Sequence, residues 1–444
     1  MNYKEALAYL DILQMHKIKL GLGAMRAFLD KVGRPEKRWR SVHIAGTNGK
    51  GSVCAALSEV LKRAGYRVGV YTSPHLSCVR ERFRIGNSYI SEETFAELAT
   101  RICVVLGKEQ ITYFEFTTAL GFLWFAESKV DLVLLETGLG GRLDATNVVT
   151  PLVAVITSVS MDHEAYLGTT LGEIAGEKAG IIKENVAVVS SAVNRDVAPV
   201  IARVAADKNA PLYSYRQDFD YRLNDDKTWT WLGGGRFGDR QISGLQYNRK
   251  SMVQQENDSL AIAVLQLLEK YDFTVSYSDI RLGLAGVEWP GRMEYFEQDY
   301  KSCKPRFGGG KKLVKKLRYL LDGAHNPEGV RNLAQSLVRQ FNYKKLIGVW
   351  GSMADKDLSA TLDTIVPLFT ECIFTQPVGE RSASPEYIAS FLGAAQKNKV
   401  RCCEDLAGAL QLAQESAEEG DLIVIGGSLY LVGAMRQLLL GELA

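Results

Sequence analysis

A glycine-rich turn near the start of the chain has the composition of a phosphate-binding loop. The segment HIAGTNGKGS, residues 43–52, follows a short apolar run and precedes a helical pattern. Glycine permits positive φ and close approach of a ligand to the backbone, and successive N–H groups at a helix start form an anion cradle. The residues of this loop predicted to bind a nucleotide are Gly46, Thr47, Asn48, Gly49, Lys50, Gly51 and Ser52.

Lys50 is the predicted catalytic cation of this loop, since its side chain could reach the β- and γ-phosphates, and Ser52 could add a hydroxyl bond. The general pattern GxxxxGK[ST] is not matched as written, because Gly46 and Gly49 are closer together and Gly51 precedes Ser52. A glycine-rich turn with a surface lysine stays open as an alternative. The loop alone indicates only a nucleotide, since kinases, GTPases and motor ATPases share it.

An acidic residue ends one of the most apolar runs of the chain. The run DLVLLE, residues 131–136, places Glu136 at the end of a predicted buried strand. A carboxylate there would be costly without a cation or hydrogen bonds, so Glu136 is a candidate metal ligand. The alternative is a strand-end acid that faces solvent.

A second turn that could do chemistry is DGAHNP, residues 322–327. Asp322 and His325 follow a predicted strand, at the carboxyl end where open α/β sheets bind ligands. Both are therefore candidate catalytic residues. Asp322 could instead cap the helix that begins at Pro327, although Asn326 fits the cap position better.

Strands separated by helices are predicted to position these residues in the first half of the chain. Apolar β-branched runs predict strands, and helical periodicity predicts helices at 51–64 and 171–182. The predicted strands are 42–45, 68–71, 131–136, 152–157 and 186–190. This alternation is typical of βαβ units in a mostly parallel sheet. Residues 212–248 predict small antiparallel strands or a surface flap, and 254–270 predict another helix.

A second βα series follows a polar stretch with a glycine triplet and clustered lysines. The strands predicted there are 318–321, 346–350, 372–375, 400–403 and 422–425. We therefore predict an α/β protein: a P-loop-type, mostly parallel sheet domain (1–296), a linker (297–317), and a smaller Rossmann-like α/β domain (318–444).

Composition narrows the possible partners and compartment. Lys plus Arg number 53 and Asp plus Glu 51, a net charge of +2, which gives no indication of a nucleic-acid partner. No stretch of about 18 apolar residues predicts a membrane span, and the N-terminal segment lacks the apolar core of a signal peptide. The seven scattered cysteines suit free thiols in a reducing compartment. We expect a cytoplasmic protein, acting as a monomer, with no membrane association.

Nine motifs occur in order over nearly the whole chain: GTNGKGS (46–52), TSPHL (72–76), YFE (113–115), ETGLGGRLDATN (136–147), MDH (161–163), EKAGIIK (177–183), WPGR (289–292), DGAHNP (322–327) and GSLY (427–430). In order and spacing they resemble the folylpolyglutamate synthase and dihydrofolate synthase family, which is similar to the Mur ligases. The stretch 297–317 is unlike the family.

The resemblance implies a two-step reaction with ATP and Mg²⁺. ATP phosphorylates a carboxylate, and the glutamate amine then displaces the phosphate to form an amide. The implied metal ligands are Ser73, Glu136 and His163. Mg²⁺ prefers oxygen ligands, so a histidine is an unusual one, and a core histidine is the alternative for His163. Lys178 is implied to be catalytic, carbamylated by CO₂ and a ligand of a second Mg²⁺. An exposed lysine paired with Glu177 or Glu173 is the alternative.

The resemblance also implies the remaining site residues. Arg292 and Asp322 would contact the nucleotide, His325 the phosphate and glutamate, and Asn257 the adenine. An ordinary polar residue near a helix start is the alternative for Asn257. Glutamate would contact Ser428. The pocket for the pterin-bearing substrate would be lined by Thr112, Tyr113, Phe114, Glu115, Leu143, Asp144 and Ala145. Phe114 could stack on a flat ring or be a core aromatic, and Ser428 could be a helix cap.

The predicted function is therefore ATP-dependent addition of L-glutamate to dihydropteroate, to reduced folates, or to both. A bifunctional dihydrofolate and folylpolyglutamate synthase is the preferred form. A Mur-type ligase with another carboxylate substrate and a P-loop NTPase switch are the alternatives. A nicotinamide dehydrogenase is disfavoured, because GGSLYLVG at 426–433 does not match the GxGxxG fingerprint.

Overall fold

The computed structural model describes residues 1–14, 21–247, 251, 253–301, 314–379 and 381–441. They form two compact units. The N-terminal unit comprises Met1–His75, Val79–Asn248 and Gln254–Val287, and the C-terminal unit comprises Leu76–Cys78, Arg249–Val253 and Glu288–Ala444.

Among the described residues, the N-terminal unit contains a sheet of eight strands in the order β4-β3-β2-β5-β1-β6-β7-β8. The strands are β1 (Arg40–Ala45), β2 (Val68–Tyr71), β3 (Phe83–Ile85), β4 (Ser88–Tyr89), β5 (Leu132–Glu136), β6 (Val153–Ile156), β7 (Ala187–Ser190) and β8 (Leu212–Ser214). The neighbouring strands β2, β5, β1, β6, β7 and β8 pair in parallel. At one edge of the sheet, β3 pairs antiparallel with both β2 and β4. The central strands β5, β1 and β6 are neighbours, so the loops at their carboxyl ends meet at one edge of the sheet.

Helices surround this sheet and account for the near-complete burial of its central strands. They are α1 (Tyr3–Gln14), α2 (Gly23–Lys31), α3 (Lys50–Arg63), α4 (Glu92–Leu106), α5 (Tyr113–Glu127), α6 (Glu164–Leu167), α7 (Leu171–Ala179), α8 (Ala198–Asp207), α9 (Gln254–Leu268) and α10 (Tyr277–Ala285). Short 3-10 turns at Pro35–Lys37, Val79–Arg82, Ala145–Val148, Gly235–Phe237 and Glu269–Tyr271 join them. Buried apolar runs on both faces are expected of parallel strands covered by helices.

A small antiparallel sheet follows β8 in the order β11-β10-β9. Its strands are β9 (Phe219–Leu223), β10 (Thr228–Gly233) and β11 (Gln241–Gln246). Trp229 and Trp231 on β10 are fully buried, and Trp231 Nε1 donates to the Ser259 carbonyl on α9 at 3.1 Å. The predicted antiparallel strands are therefore a packed layer on α9, whereas β8 extends the main parallel sheet.

The C-terminal unit contains, within its described residues, a six-stranded sheet in the order β12-β13-β17-β14-β15-β16. Its strands are β12 (Glu294–Lys301), β13 (Val314–Asp322), β14 (Leu346–Trp350), β15 (Glu371–Phe374), β16 (Val400–Cys402) and β17 (Leu422–Gly426). Its helices are α11 (Pro327–Gln340), α12 (Leu358–Ile365), α13 (Pro385–Ser390), α14 (Ala394–Lys397), α15 (Leu406–Ser416) and α16 (Leu429–Leu440), with a 3-10 turn at Val366–Leu368. Apart from the antiparallel edge strand β12, the pairing is parallel. The predicted α/β fold class is confirmed in both units.

The predicted boundary and linker differ from this arrangement. The main segment of the C-terminal unit begins at Glu288, before the predicted start of the linker at 297, because β12 pairs along its length with β13. The first and last residues of the stretch 297–317 lie in these two strands, whereas 302–313 lies outside the described residues. A polar edge strand carries little of the apolar signal by which a strand is predicted.

None of the helices in the described part of the chain is long and apolar enough to cross a membrane.

Candidate active site

The glycine-rich turn lies between β1 and α3, and two of its glycines cannot be replaced without a clash. Gly46 has φ +149 and Gly49 has φ +89. A Cβ at Gly46 would lie 1.8 Å from Thr157 Oγ1, and one at Gly49 would lie 2.4 Å from Asn257 Oδ1. Neighbouring side chains thus press directly on the loop backbone. Asn257, predicted to contact adenine, is brought against this loop.

Hydroxyl residues after β6, which sequence reasoning missed, anchor the loop. Thr157 Oγ1 donates to the Asn48 carbonyl at 2.7 Å, and the Thr47 N–H donates to the Ser158 carbonyl at 2.7 Å. Thr47 Oγ1 donates to the Ser160 carbonyl at 3.2 Å and accepts from the Ser160 N–H at 3.1 Å. A run of hydroxyl residues directly after a buried strand is the signal that could have found them.

Lys50 and Lys178 converge on this loop. Lys50 Nζ donates to the carbonyls of Gly46 and Thr47 at 3.1 Å each, and it lies 3.9 Å from Glu136 Oε1. Lys178 Nζ, on α7, donates to the same Gly46 carbonyl at 3.0 Å. The exposed-lysine alternative for Lys178 is wrong, because the residue is only 4% exposed, and Glu177 bonds Arg142 instead.

Burial, and to a smaller extent the nearby positive charge of Lys50, lowers the pKa of Lys178 from 10.5 to about 7. Removing an ammonium from water disfavours its charged form. A substantial fraction of Lys178 is therefore a neutral amine at neutral pH. A neutral amine is a nucleophile, which the usual lysine is not at this pH.

Glu136 and Ser73 form an oxygen-rich corner beside Lys50. Glu136 ends β5 and is buried, so the solvent-facing alternative is wrong. Its Oε2 accepts from the Ser73 N–H at 3.2 Å. Ser73 Oγ is buried and has no hydrogen-bond partner in the part of the chain that the structure describes. A carboxylate next to an unpartnered hydroxyl suits a hard cation such as Mg²⁺.

His163, the third predicted metal ligand, lies in the loop after β6, in the left-handed region with φ +53, directly before α6. Its side chain is 40% exposed and lies 3.9 Å from Asp162. Since β6 neighbours β1, this loop shares the sheet edge of Glu136. Within the described ranges, no group of three or more His, Cys, Asp or Glu side chains could by itself hold a metal ion.

The predicted substrate residues at the start of α5 divide into two kinds. Thr112 and Glu115 form a capping box, in which each side chain bonds the backbone N–H of the other residue. Phe114 is half-buried and packs on Gly138, where a Cβ would lie 2.5 Å from its ring. Its ring centroid is 6.0 Å from that of Tyr71. Phe114 thus has a partly exposed face at the GLGG turn, and the capping box fixes its position.

Asp144 is buried between half-buried Leu143 and buried Ala145 and holds the same turn from within. Its Oδ2 accepts from the Gly138 and Leu139 N–H groups at 2.8 and 2.9 Å. Its Oδ1 accepts from the N–H and Oγ1 of Thr146. Burial raises the pKa of Asp144.

The Thr146 hydroxyl links Asp144 to a buried histidine. Because Thr146 Oγ1 donates to Asp144, it accepts from His43 Nε2 at 2.8 Å. Burial lowers the pKa of His43 to about 3, so its ring is neutral. The carboxylate of Asp144 is therefore fully used inside the chain.

In the C-terminal unit, Asp322 lies at the end of β13, where burial raises the pKa of its carboxyl and Arg292 opposes the rise. Its oxygens accept from the N–H groups of Met293 and Ala324, both at 2.9 Å. The helix-cap alternative is wrong, because Asn326 caps α11 by accepting from the Gly329 N–H at 2.8 Å.

His325 and Ser428 follow neighbouring strands. A ring nitrogen of His325, Nδ1, donates to the Gly323 carbonyl at 2.8 Å. Ser428 is buried and caps α16, accepting from the Tyr430 N–H at 3.1 Å. The Gly427 N–H donates to the Ala324 carbonyl at 3.2 Å. The structure thus brings the DGAHNP and GSLY turns together, as expected for adjacent parallel strands.

Comparison with known proteins matches each unit to a domain of one enzyme class. Residues 44–229 match the Mur ligase middle domain, and residues 310–429 match the Mur ligase glutamate ligase domain. Dihydrofolate synthase/folylpolyglutamate synthase of Bacillus subtilis is 33% identical over 98% of this chain and 98% of its own.

Two solved structures are similar throughout. Escherichia coli FolC in complex with DHPP and ADP has a TM-score of 0.86 and 29% identity, covering 99% of this chain and 98% of its own. Bifunctional folylpolyglutamate synthase/dihydrofolate synthase of Yersinia pestis, complexed with AMPPNP and a Mn ion, has a TM-score of 0.84 and 32% identity, covering 99% and 98%.

A phosphate loop with two lysines in one α/β unit, followed by a glutamate ligase domain, defines an ATP-dependent ligase of the Mur type. Full-length identity of 33% narrows the class further. The chain belongs to the folylpolyglutamate synthase and dihydrofolate synthase family.

Proposed function

We propose that this chain joins L-glutamate to the carboxyl group of a pterin acid, using ATP and an acyl-phosphate intermediate. Dihydropteroate and reduced folates are the proposed acceptors, as in a bifunctional enzyme. The observation that carries the proposal is the convergence of Lys50 and Lys178 on the Gly46 carbonyl, with Glu136 beside Lys50.

In the first step, an acceptor carboxylate oxygen attacks the γ-phosphorus of ATP, and ADP leaves with the electrons of the broken bond. The N–H groups of residues 46–52 would hold the phosphates, and Lys50 would exchange its loop carbonyls for phosphate oxygens. A cation so placed neutralises charge that grows on the leaving oxygen. Asn257 would hold the nucleotide from the other side of Gly49.

Ser73 Oγ and the Glu136 carboxylate are the proposed holders of Mg²⁺, with His163 from the neighbouring loop. Their fit rests on the buried Ser73 hydroxyl, which has no hydrogen-bond partner among the described residues. When bound, the ion would neutralise phosphate charge and polarise the transferred group.

Lys178 is proposed to be carbamylated and to bind a second Mg²⁺. Its neutral amine would attack the carbon of CO₂ and lose one proton, leaving an anionic carbamate. The change from cation to anion would also remove the repulsion between Lys178 and Lys50. The lowered pKa of Lys178 supports this proposal, because only the neutral amine reacts.

In the second step, the amine of glutamate attacks the acyl phosphate carbonyl and phosphate departs. His325 is proposed to hold phosphate and glutamate, Arg292 and Asp322 the nucleotide, and Ser428 the glutamate through the start of α16. Phe114, Leu143 and Ala145 are proposed to line the pterin-acid site, with Tyr113 at its edge. Thr112, Glu115 and Asp144 would act by fixing the two segments that carry them.

The test is ATP turnover by the purified chain with Mg²⁺, L-glutamate and either dihydropteroate or tetrahydrofolate, with glutamylated products detected by mass spectrometry. ADP should form only when glutamate and an acceptor are both present. ATP hydrolysis that needs neither would favour an NTPase switch. Turnover with a cell-wall precursor but no pterin acid would favour a Mur-type ligase.

Lys50→Met should reduce turnover by about a thousandfold, as loss of a key transition-state contact does. Lys62→Met is the matched control on the same helix, since Lys62 pairs with Glu59 at the far end of α3. Full turnover by Lys50→Met would contradict the assignment.

We also propose a monomer acting in the cytoplasm. The six described cysteines are free, which suits a reducing compartment. Light scattering coupled to size-exclusion chromatography tests the oligomeric state, and cell fractionation tests the location.

A further inference from the structure

Arg82 is a buried cation that no acidic group of the described chain neutralises. It ends the 3-10 turn Val79–Arg82 directly before β3 and is only 7% exposed. Within the ranges that the structure describes, it forms no salt bridge, and its Nη1 is buried without a hydrogen-bond partner. Charged groups buried in proteins are normally paired. The missing partner is therefore expected to be an anion that the described part of the chain does not supply.

Two uncharged side chains hold the guanidinium in place. Arg82 Nε donates to His75 Nδ1 at 3.0 Å, and the guanidinium carbon lies 5.4 Å from the centroid of the Tyr113 ring. Neither contact supplies negative charge. The side chain is oriented before any ligand binds, with Nη1 still able to donate.

These contacts also locate Arg82 between two parts of the proposed site. His75 follows Ser73, whose N–H bonds Glu136, so one contact reaches the proposed metal corner. Tyr113 precedes Phe114, which packs on Gly138, so the other contact reaches the proposed pterin-acid site. A backbone hydrogen bond also holds Arg82 next to the segment that carries Ser73, because the Thr72 N–H donates to the Arg82 carbonyl at 3.1 Å. A pterin acid has its aromatic rings at one end and its reactive carboxylate at the other.

We propose that Arg82 binds the carboxylate of the acceptor that is to be joined to glutamate, and so determines the preference for acids. The inference rests on the proposed function and adds the residue that recognises the reacting group. A planar guanidinium matches a carboxylate with two parallel hydrogen bonds. A merely structural Arg82 would support the turn and have no preference for a charged ligand.

Equilibrium binding of pteroate and of its carboxamide, measured by calorimetry without ATP, separates these roles. The wild type should prefer the acid by roughly tenfold to a hundredfold, as charged hydrogen bonds do. Arg82→Gln should reduce this preference to about one, because it affects the acid and not the amide. Arg80→Gln, in the same turn with its guanidinium on the Ile90 carbonyl, should keep the full preference.

The proposal would be overturned if Arg82→Gln lowered the affinity for both ligands equally, or if it left the preference for the acid unchanged. If Arg82→Gln does not fold, Arg82→Lys decides, because it keeps the charge but loses the planar fork. Arg82→Lys should lower the preference at least about threefold, and an unchanged preference there would equally overturn the proposal. A wild type that makes no glutamylated product from any pterin acid refutes the proposed function itself. A productive wild type whose acid preference survives Arg82→Gln refutes only the role of Arg82.

Discussion

The ammonium groups of Lys50 and Lys178 donate to one and the same oxygen, the carbonyl of Gly46, at 3.1 and 3.0 Å. Lys178 lies 132 positions from Gly46 along the chain, whereas Lys50 lies four positions from it. Burial, with the repulsion from Lys50 as the smaller cause, lowers the pKa of Lys178 to about 7. The phosphate loop is thus a place where positive charge is concentrated before any phosphate binds.

The lowered pKa of Lys178 should make stability depend on pH. In the unfolded chain its pKa returns to 10.5, so between about 7 and 10.5 the unfolded state binds more protons than the folded state. Stability attributable to Lys178 therefore rises with pH across this window, by up to about 1.4 kcal/mol per pH unit. Urea unfolding of wild type and Lys178→Met in CO₂-free buffers should show the wild type gaining on the variant as pH rises. A constant difference would contradict the lowered pKa.

Carbamylation of Lys178 should also follow pH, in the same direction. At fixed CO₂, the reactive neutral fraction of Lys178 increases as pH rises through about 7. Native mass spectrometry should show one added CO₂, and ligase activity should fall in CO₂-free buffer and return with bicarbonate. Lys178→Ala should lose activity and ignore bicarbonate. A fully active Lys178→Ala enzyme would remove the carbamate proposal.

Sequence patterns predicted the sheet strands well because burial on both faces leaves continuous apolar runs. Glu136 was predicted as a metal ligand at the end of the buried run DLVLLE, with a solvent-facing acid as the alternative, and it is buried. The boundary was missed because β12, with the sequence EYFEQDYK, is a polar edge strand whose place is fixed by pairing with β13. Edge pairing depends on distant backbone, which local periodicity does not record.

The site was predictable as a set of motifs, but the hydrogen bonds between its residues were not. No spacing rule connects Thr47 to Ser160, because the parallel pairing of β1 with β6 brings their loops together. None connects Arg82 to His75 either, because their contact depends on how the connection between β2 and β3 folds. Asp144 was predicted to touch substrate, yet its carboxylate is occupied by the chain. Motif residues that hold a loop and motif residues that hold a ligand look alike in sequence.

Gly49→Ala should impair nucleotide binding through a steric clash with Asn257. Positive φ costs an alanine about 1–2 kcal/mol, and here the new Cβ would also lie 2.4 Å from Asn257 Oδ1. Gly65→Ala is the matched control, since Gly65 has φ +93 but a Cβ added there would meet none of the described neighbouring atoms within 4 Å. Both variants should lose similar stability, but only Gly49→Ala should lose ATP affinity, measured by calorimetry.

The clash can be tested by removing its partner. In an Asn257→Ala background, Gly49→Ala should cost much less ATP affinity than it does in the wild type, because contacting residues are not additive. Equal losses in the two backgrounds would show that loop conformation, and not Asn257, limits binding.

Asn326→Ala should lower the free energy of unfolding without changing the binding of glutamate. Asn326 caps α11, and loss of a cap costs about 1 kcal/mol. Asp405→Ala, which removes the corresponding cap of α15, should destabilise by a similar amount in thermal or urea unfolding. A large rise in the glutamate KM of Asn326→Ala alone would instead place this side chain against the ligand.

Thr146→Val should separate a loop-holding role from a ligand-binding role in the ETGLGGRLDATN motif. The change keeps the shape of the side chain but removes the hydroxyl that accepts from His43 and donates to Asp144. One buried donor and one carboxylate position lose their partner, at a cost of about 1–3 kcal/mol in the free energy of unfolding. Because every hydrogen bond of this hydroxyl is internal, acceptor affinity should change less than about threefold. Strong loss of pteroate binding at unchanged stability would mean that the hydroxyl, and with it the Asp144 turn, contacts the pterin acid directly.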